Sequence, residues 1–89
     1  MAKTVTVSRS PNDNNIGVRI DNQVLTFTAN GQATLDVEPG PHVLNFFMIL
    51  PPGTEVVLAI PSPPEAKWSL TQQVPDDGVI GGFHKFVVS

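Results

Sequence analysis

The chain has 89 residues, a formal net charge of −3, one tryptophan, and neither cysteine nor tyrosine. That length makes a single domain, small enough that folding removes only roughly 60–65% of the unfolded chain's surface from water. Without cysteine, neither a disulfide nor a thiolate metal site can supplement the core.

The basic residues Lys3, Arg9, Arg19, Lys67 and Lys85 are scattered. A phosphate-binding surface needs them clustered to release counterions, so nucleic acid is not an expected partner. No apolar run approaches the ~20 residues of a membrane-spanning helix, so no membrane span is expected. The longest, Val43 to Leu50, contains Asn45. Met1-Ala2-Lys3-Thr4 lacks the apolar region of a signal peptide, and small secreted domains tend to carry disulfides. A cytoplasmic location is the expectation if the chain is complete as given.

From Lys3 to Arg9, Val5 and Val7 alternate with Thr4, Thr6 and Ser8. Such period-two alternation is what a pleated, half-buried strand requires. After the turn-rich Ser10-Pro11-Asn12-Asp13, a second strand carries Ile16, Val18 and Ile20 on one face. Leu25, Phe27 and Ala29 predict a third, and Ala33, Leu35 and Val37 a fourth. Asn30-Gly31 between them fits the positive φ angles of a type I′ turn, which predicts a hairpin of strands three and four.

Pro39-Gly40-Pro41 introduces a different pattern. From His42 to Leu50, one face carries Val43, Asn45, Phe47 and Ile49, and the other Leu44, Phe46, Met48 and Leu50. Glu55 to Ile60 is similar, with Val56, Leu58 and Ile60 backed by Val57 and Ala59. Pro51-Pro52-Gly53-Thr54 predicts a tight reversal that pairs these two strands. Residues 65–74 fit two patterns. Ser62 as N-cap, Pro63 at the first helical position and Glu65 at the third suit a helix. Ala66, Trp68 and Leu70 alternating with Lys67, Ser69 and Thr71 suit a strand, which is the reading taken because the neighbours are strands. Pro75-Asp76-Asp77-Gly78 turns the chain into a last strand, where Gly81-Gly82 predicts a bulge or bend.

The sum is an all-β chain, a small antiparallel β-sandwich of seven or eight strands with immunoglobulin-like or related topology. Val37-Glu38-Pro39-Gly40-Pro41-His42-Val43-Leu44 resembles the strand-turn-strand segment of bacterial PEGA-type surface modules. The resemblance covers under a tenth of the 89 residues, and no function is carried over from it.

Chemistry-bearing patterns are sparse. His42 and His84 titrate near neutrality but lack the close spacing of a zinc motif, so no metal or other cofactor is expected. Asp13, Asp76 and Asp77 read as turn formers. No Gly-x-Ser-x-Gly nucleophile setting or Gly-rich phosphate loop occurs, and no enzymatic activity is expected. The strongest signal is the doubly apolar stretch from Val43 to Ile60, because a sheet in a sandwich hides one face only. An interface with another copy or another protein is expected there, through Leu44, Phe46, Met48 and Leu50, since Asn45 interrupts the opposite face. A second reading is a small ligand-binding module, with carbohydrate as the ligand and Trp68, Asp76 and Asp77 as contacts. Trp68 also fits a core position between sheets.

Overall fold

The computed structural model describes residues 2–89. It contains eight strands, β1 (Lys3–Ser10), β2 (Ile16–Ile20), β3 (Gln23–Val24), β4 (Gln32–Val37), β5 (Gly40–Ile49), β6 (Glu55–Ser62), β7 (Trp68–Gln73) and β8 (Val79–Val88), and one 3-10 turn at Pro64–Ala66. They form two four-stranded sheets, in the orders β4-β1-β6-β7 and β3-β2-β5-β8. Every pairing is antiparallel.

Alternation fixes which residues turn inward. β2 buries Ile16, Val18 and Ile20 and exposes Gly17 and Arg19. β6 buries Val56, Leu58 and Ile60. The inward residues of both sheets meet in one cluster, with Val5 and Val7 from the first sheet and Leu44 and Met48 from the second. Each such side chain contributes roughly 1.5–3 kcal/mol by leaving water. β1 and β2 lie in different sheets, as do β4 and β5, while β1 pairs with β4 and β2 with β5. These two pairs therefore interlock and tie the layers together.

Several expectations change. The third strand is only Gln23–Val24, and residues 25–29 leave the ladder to cross between sheets. Leu25 is buried and Phe27 half-buried, so the alternation reports burial there rather than pairing. The Arg9 guanidinium carbon lies 4.2 Å above the Phe27 ring. Asn12 Nδ2 donates to the Thr28 carbonyl at 3.0 Å and holds the crossing segment. The turn that follows is not type I′. Gly31 N–H donates to Thr28 O at 2.9 Å and Thr28 N–H to Gln32 O at 2.8 Å. Gly31 has φ +74°, whereas Asn30 is not left-handed, so the loop has three residues and closes on glycine. The expected hairpin of strands three and four does not form, because β3 pairs with β2 and β4 with β1 in opposite sheets.

β5 and β6 do not form a hairpin. They lie in opposite sheets, and residues 51–54 carry the chain across. Each strand has its own inward apolar set, and facing each other across the core buries both. Gly81-Gly82 makes no bulge, since β5 and β8 pair in unbroken register from Gly40↔Val88 to Ile49↔Val79. The register shift lies instead between β1 and β6, at Thr6/Ser8. Of the two patterns at residues 65–74, the helix start is reduced to the 3-10 turn and the strand prevails as β7. β8 follows β5 in the sheet but not in sequence, because β6 and β7 intervene and extend the other sheet. That order is not the consecutive closing pair of an immunoglobulin domain.

Candidate interaction surface

The inward face of β5 is Leu44, Phe46 and Met48, and Leu50 follows directly after the strand. Leu44, Met48 and Leu50 are 0%, 1% and 5% exposed, so the expectation that this set turns outward is corrected. Phe46 is partly buried against the same core. Its ring lies over Gly82, where a Cβ would come within 2.8 Å of Phe46 Cζ. Asn45 does not mark the inner side. It belongs to the solvent side, opposite Phe83. Its single amide misleads because one polar residue on an open face carries no desolvation penalty.

The outward face of the β3-β2-β5-β8 sheet is the unusual surface of this molecule. Among the described residues, all the exposed large hydrophobic ones lie on its strands: Val24, Phe47, Ile49, Val79, Phe83 and Val87. Phe47 and Phe83 are 54% and 64% exposed. Directly opposed residues share a face, so the register places Ile49 beside Val79 and Asn45 beside Phe83. Phe47 stands between Gly17 and Gly81, its partners on the two neighbouring strands. The missing side chain at Gly17 leaves an open depression rimmed by Arg19, Val24 and Phe47. The face therefore has a knob with a hollow beside it. Arg19 and Lys85 are its charged members. The outward face of the other sheet carries Thr4, Thr6, Thr34 and Ser69, and its apolar members Val57 and Ala59 are half-buried.

Between the open edges of the two sheets an aromatic group closes the core. Trp68 stacks on His84 with ring centroids 4.3 Å apart and an interplanar angle of 10°. Phe46 lies 6.5 Å from Trp68. Burial among these rings pushes the His84 pKa below its ordinary value. Trp68 thus packs on the core, while Asp76 and Asp77 are exposed in the turn beyond the far end of β7. The structure does not bring these three residues together. Asp77 Oδ1 accepts the Val79 N–H at 3.1 Å, a turn-stabilising bond.

His42 is the other titratable feature. Its Nδ1 lies 2.8 Å from Asp21 Oδ2 and its Nε2 lies 2.6 Å from the Glu38 carbonyl oxygen. Both neighbours are acceptors, so both ring nitrogens donate only when the imidazole is protonated. The Asp21 hydrogen bond, aided by the Glu38 carbonyl, raises the His42 pKa, and the same bond lowers that of Asp21. Asp21 turns the chain out of β2 with φ +54° and also accepts the Val43 N–H at 3.1 Å through Oδ1. This clamp joins β2, β5 and the turn between β4 and β5. Sequence reading leaves His42 without a role, because nothing in the spacing of Asp21, Glu38 and His42 announces their meeting.

Among the described residues, no three His, Cys, Asp or Glu side chains come together as metal ligands, and no helix is long and apolar enough to cross a membrane. Comparison with known proteins found no matching family, no matching curated protein and no matching solved structure.

Proposed function

We propose that this chain is a non-enzymatic assembly module, an immunoglobulin-related β-sandwich whose β3-β2-β5-β8 face is covered by a second copy of itself. One observation carries the reading: among the described residues, every exposed large hydrophobic one lies on the strands of this one sheet. Scattered exposed apolar residues need no explanation, but a contiguous patch on one face does. The second copy is favoured because the face complements itself. In this reading the exposed ring of Phe47 or Phe83 of one copy enters the hollow beside Gly17 of the other. The interlocked β1–β4 and β2–β5 pairs support kinship with immunoglobulin-like sandwiches.

β5 and β8 have ten residues each. At about 3.4 Å per residue and about 4.8 Å between strands, the face including short β2 and β3 covers on the order of 450 Å². Standard interfaces take about 800 Å² from each partner, so one face alone supports only weak association. The test is solution mass by light scattering across concentration, for the wild type and for Phe47→Thr combined with Ile49→Thr. Threonine keeps β propensity while removing apolar area. The double variant is expected to shift to smaller species with its circular dichroism unchanged. A wild type that stays monomeric at high concentration, or a double variant with wild-type mass, overturns the reading.

A further inference from the structure

We infer that β8 pairs edge to edge with β8 of a second copy, antiparallel about a two-fold axis at Phe83, to form a continuous eight-stranded sheet. The two sheets end in four edge strands, β4, β7, β3 and β8. β3 has two residues, and β4 and β7 have six each. β4 carries Asp36 at its edge. β8 runs ten residues, contains no proline, and has Lys85 as its one Lys, Arg, Asp or Glu. It pairs with β5 alone, in unbroken register. A long, regular, largely apolar edge offers a row of backbone donors and acceptors to another strand, and proteins normally blunt such edges.

The sequence of β8 fits its own antiparallel copy. With Phe83 opposite Phe83, Val79 falls opposite Val87 and Ile80 opposite Phe86. Lys85 falls opposite Gly81, and His84 opposite Gly82. No like charges meet, since Lys85 has glycine across from it. This register gives Gly81 a use that the β5 pairing alone does not require, since a Cβ there meets only ordinary contacts, whereas Gly82 is already required by the Phe46 ring. It also addresses the small area of the apolar face. Two edge-paired copies double that face to on the order of 900 Å², which reaches the standard contribution of one partner. This area argument rests on the face contact proposed above. The strand complementarity does not.

The test uses Phe47→Thr/Ile49→Thr as background, so that edge pairing is read without face contact. Gly81→Lys and Gly81→Glu are then added separately. Gly81 has no left-handed φ, and a Cβ there meets nothing closer than Phe47 Cδ1 at 3.4 Å, so either side chain is tolerated by the fold. Symmetry places residue 81 opposite Lys85 twice in each dimer. The background protein is expected to be a dimer by analytical ultracentrifugation, with Gly81→Lys weakening it and Gly81→Glu tightening it. The two dissociation constants should differ by roughly tenfold or more, from two cross-strand charge pairs. Equal effects of lysine and glutamate overturn the register. A wild type that associates while the background variant is monomeric overturns the edge inference and leaves the face reading standing. A wild type no larger than the dimeric background variant supports the edge and overturns the face. A wild type monomeric at all concentrations overturns both, and the edge of β8 is then free for a strand of a different protein.

Discussion

The His42 clamp sets a sign on how stability changes with pH. The folded His42 pKa lies above its ordinary 6.5, through the Asp21 hydrogen bond first and the Glu38 carbonyl second. The folded state therefore holds its proton more tightly than the unfolded chain. The stability this supplies is complete below pH 6.5 and is lost as pH rises through the folded value. A hydrogen bond to a charged group contributes about 1.5–3 kcal/mol when well shielded. The Asp21 side chain is 49% exposed, so screening by water brings the expectation down to about 1 kcal/mol. For a domain of this size that is a fall of roughly 4–8 °C in melting temperature between pH 6 and pH 9.

Asp21→Asn is the informative perturbation. Asparagine tolerates the φ of +54° at this turn and keeps an oxygen to accept the Val43 N–H, but it removes the charge that holds His42 protonated. Urea or thermal unfolding at pH 6, 7.5 and 9 should show the wild type losing stability above 6.5. The asparagine variant should start lower and stay nearly level. His84 acts in the opposite direction. Its pKa is depressed by burial, so its contribution is complete above pH 6.5 and is lost as pH falls through its folded value. The two histidines together place a stability maximum near pH 6.5. Wild-type stability that is flat or rising from pH 6.5 to 9, or an Asp21→Asn variant with the same decline, refutes the reasoning.

Two further perturbations test the packing. Gly82→Ala drives a methyl group to 2.8 Å from Phe46 Cζ and should cost about 1–3 kcal/mol, with Phe46→Leu in the same chain recovering part of it. Purely additive urea midpoints for that pair would mean that the ring does not lie over Gly82. Gly31→Val combines φ +74° with a Cβ 2.8 Å from the Arg9 carbonyl oxygen, so a loss of about 3 kcal/mol or more is expected, and an unchanged urea midpoint contradicts the turn.

What the sequence discloses, and what it conceals, follows from which interactions are local. Ile16, Val18 and Ile20 alternate because one face of β2 is buried, and that is visible without knowing its partner. The same logic misleads at Leu25 and Phe27. They are inward-facing as their alternation implies, yet they sit on a crossing segment with no ladder. Alternation is a consequence of burial, and pairing is a separate property that depends on where the other strands go. The linker at residues 51–54 shows the same limit. Its prolines signal a reversal, but a reversal within one sheet and a passage between two sheets use the same turn residues. Which side of β5 faces water depends on side-chain volume as well as polarity. Leu44, Met48 and Leu50 fill the space between the sheets, while Phe47 and Ile49 stand on a face whose strand neighbours include Gly17, Gly81 and Val79. An apolar face that is left open by the chain's own fold has the same composition as one that is buried. Asn45 is too small a mark to tell them apart, and only the register with β2 and β8 does so. That register sets glycine on both sides of Phe47, so its ring stands exposed with no side chain directly across from it on either neighbouring strand.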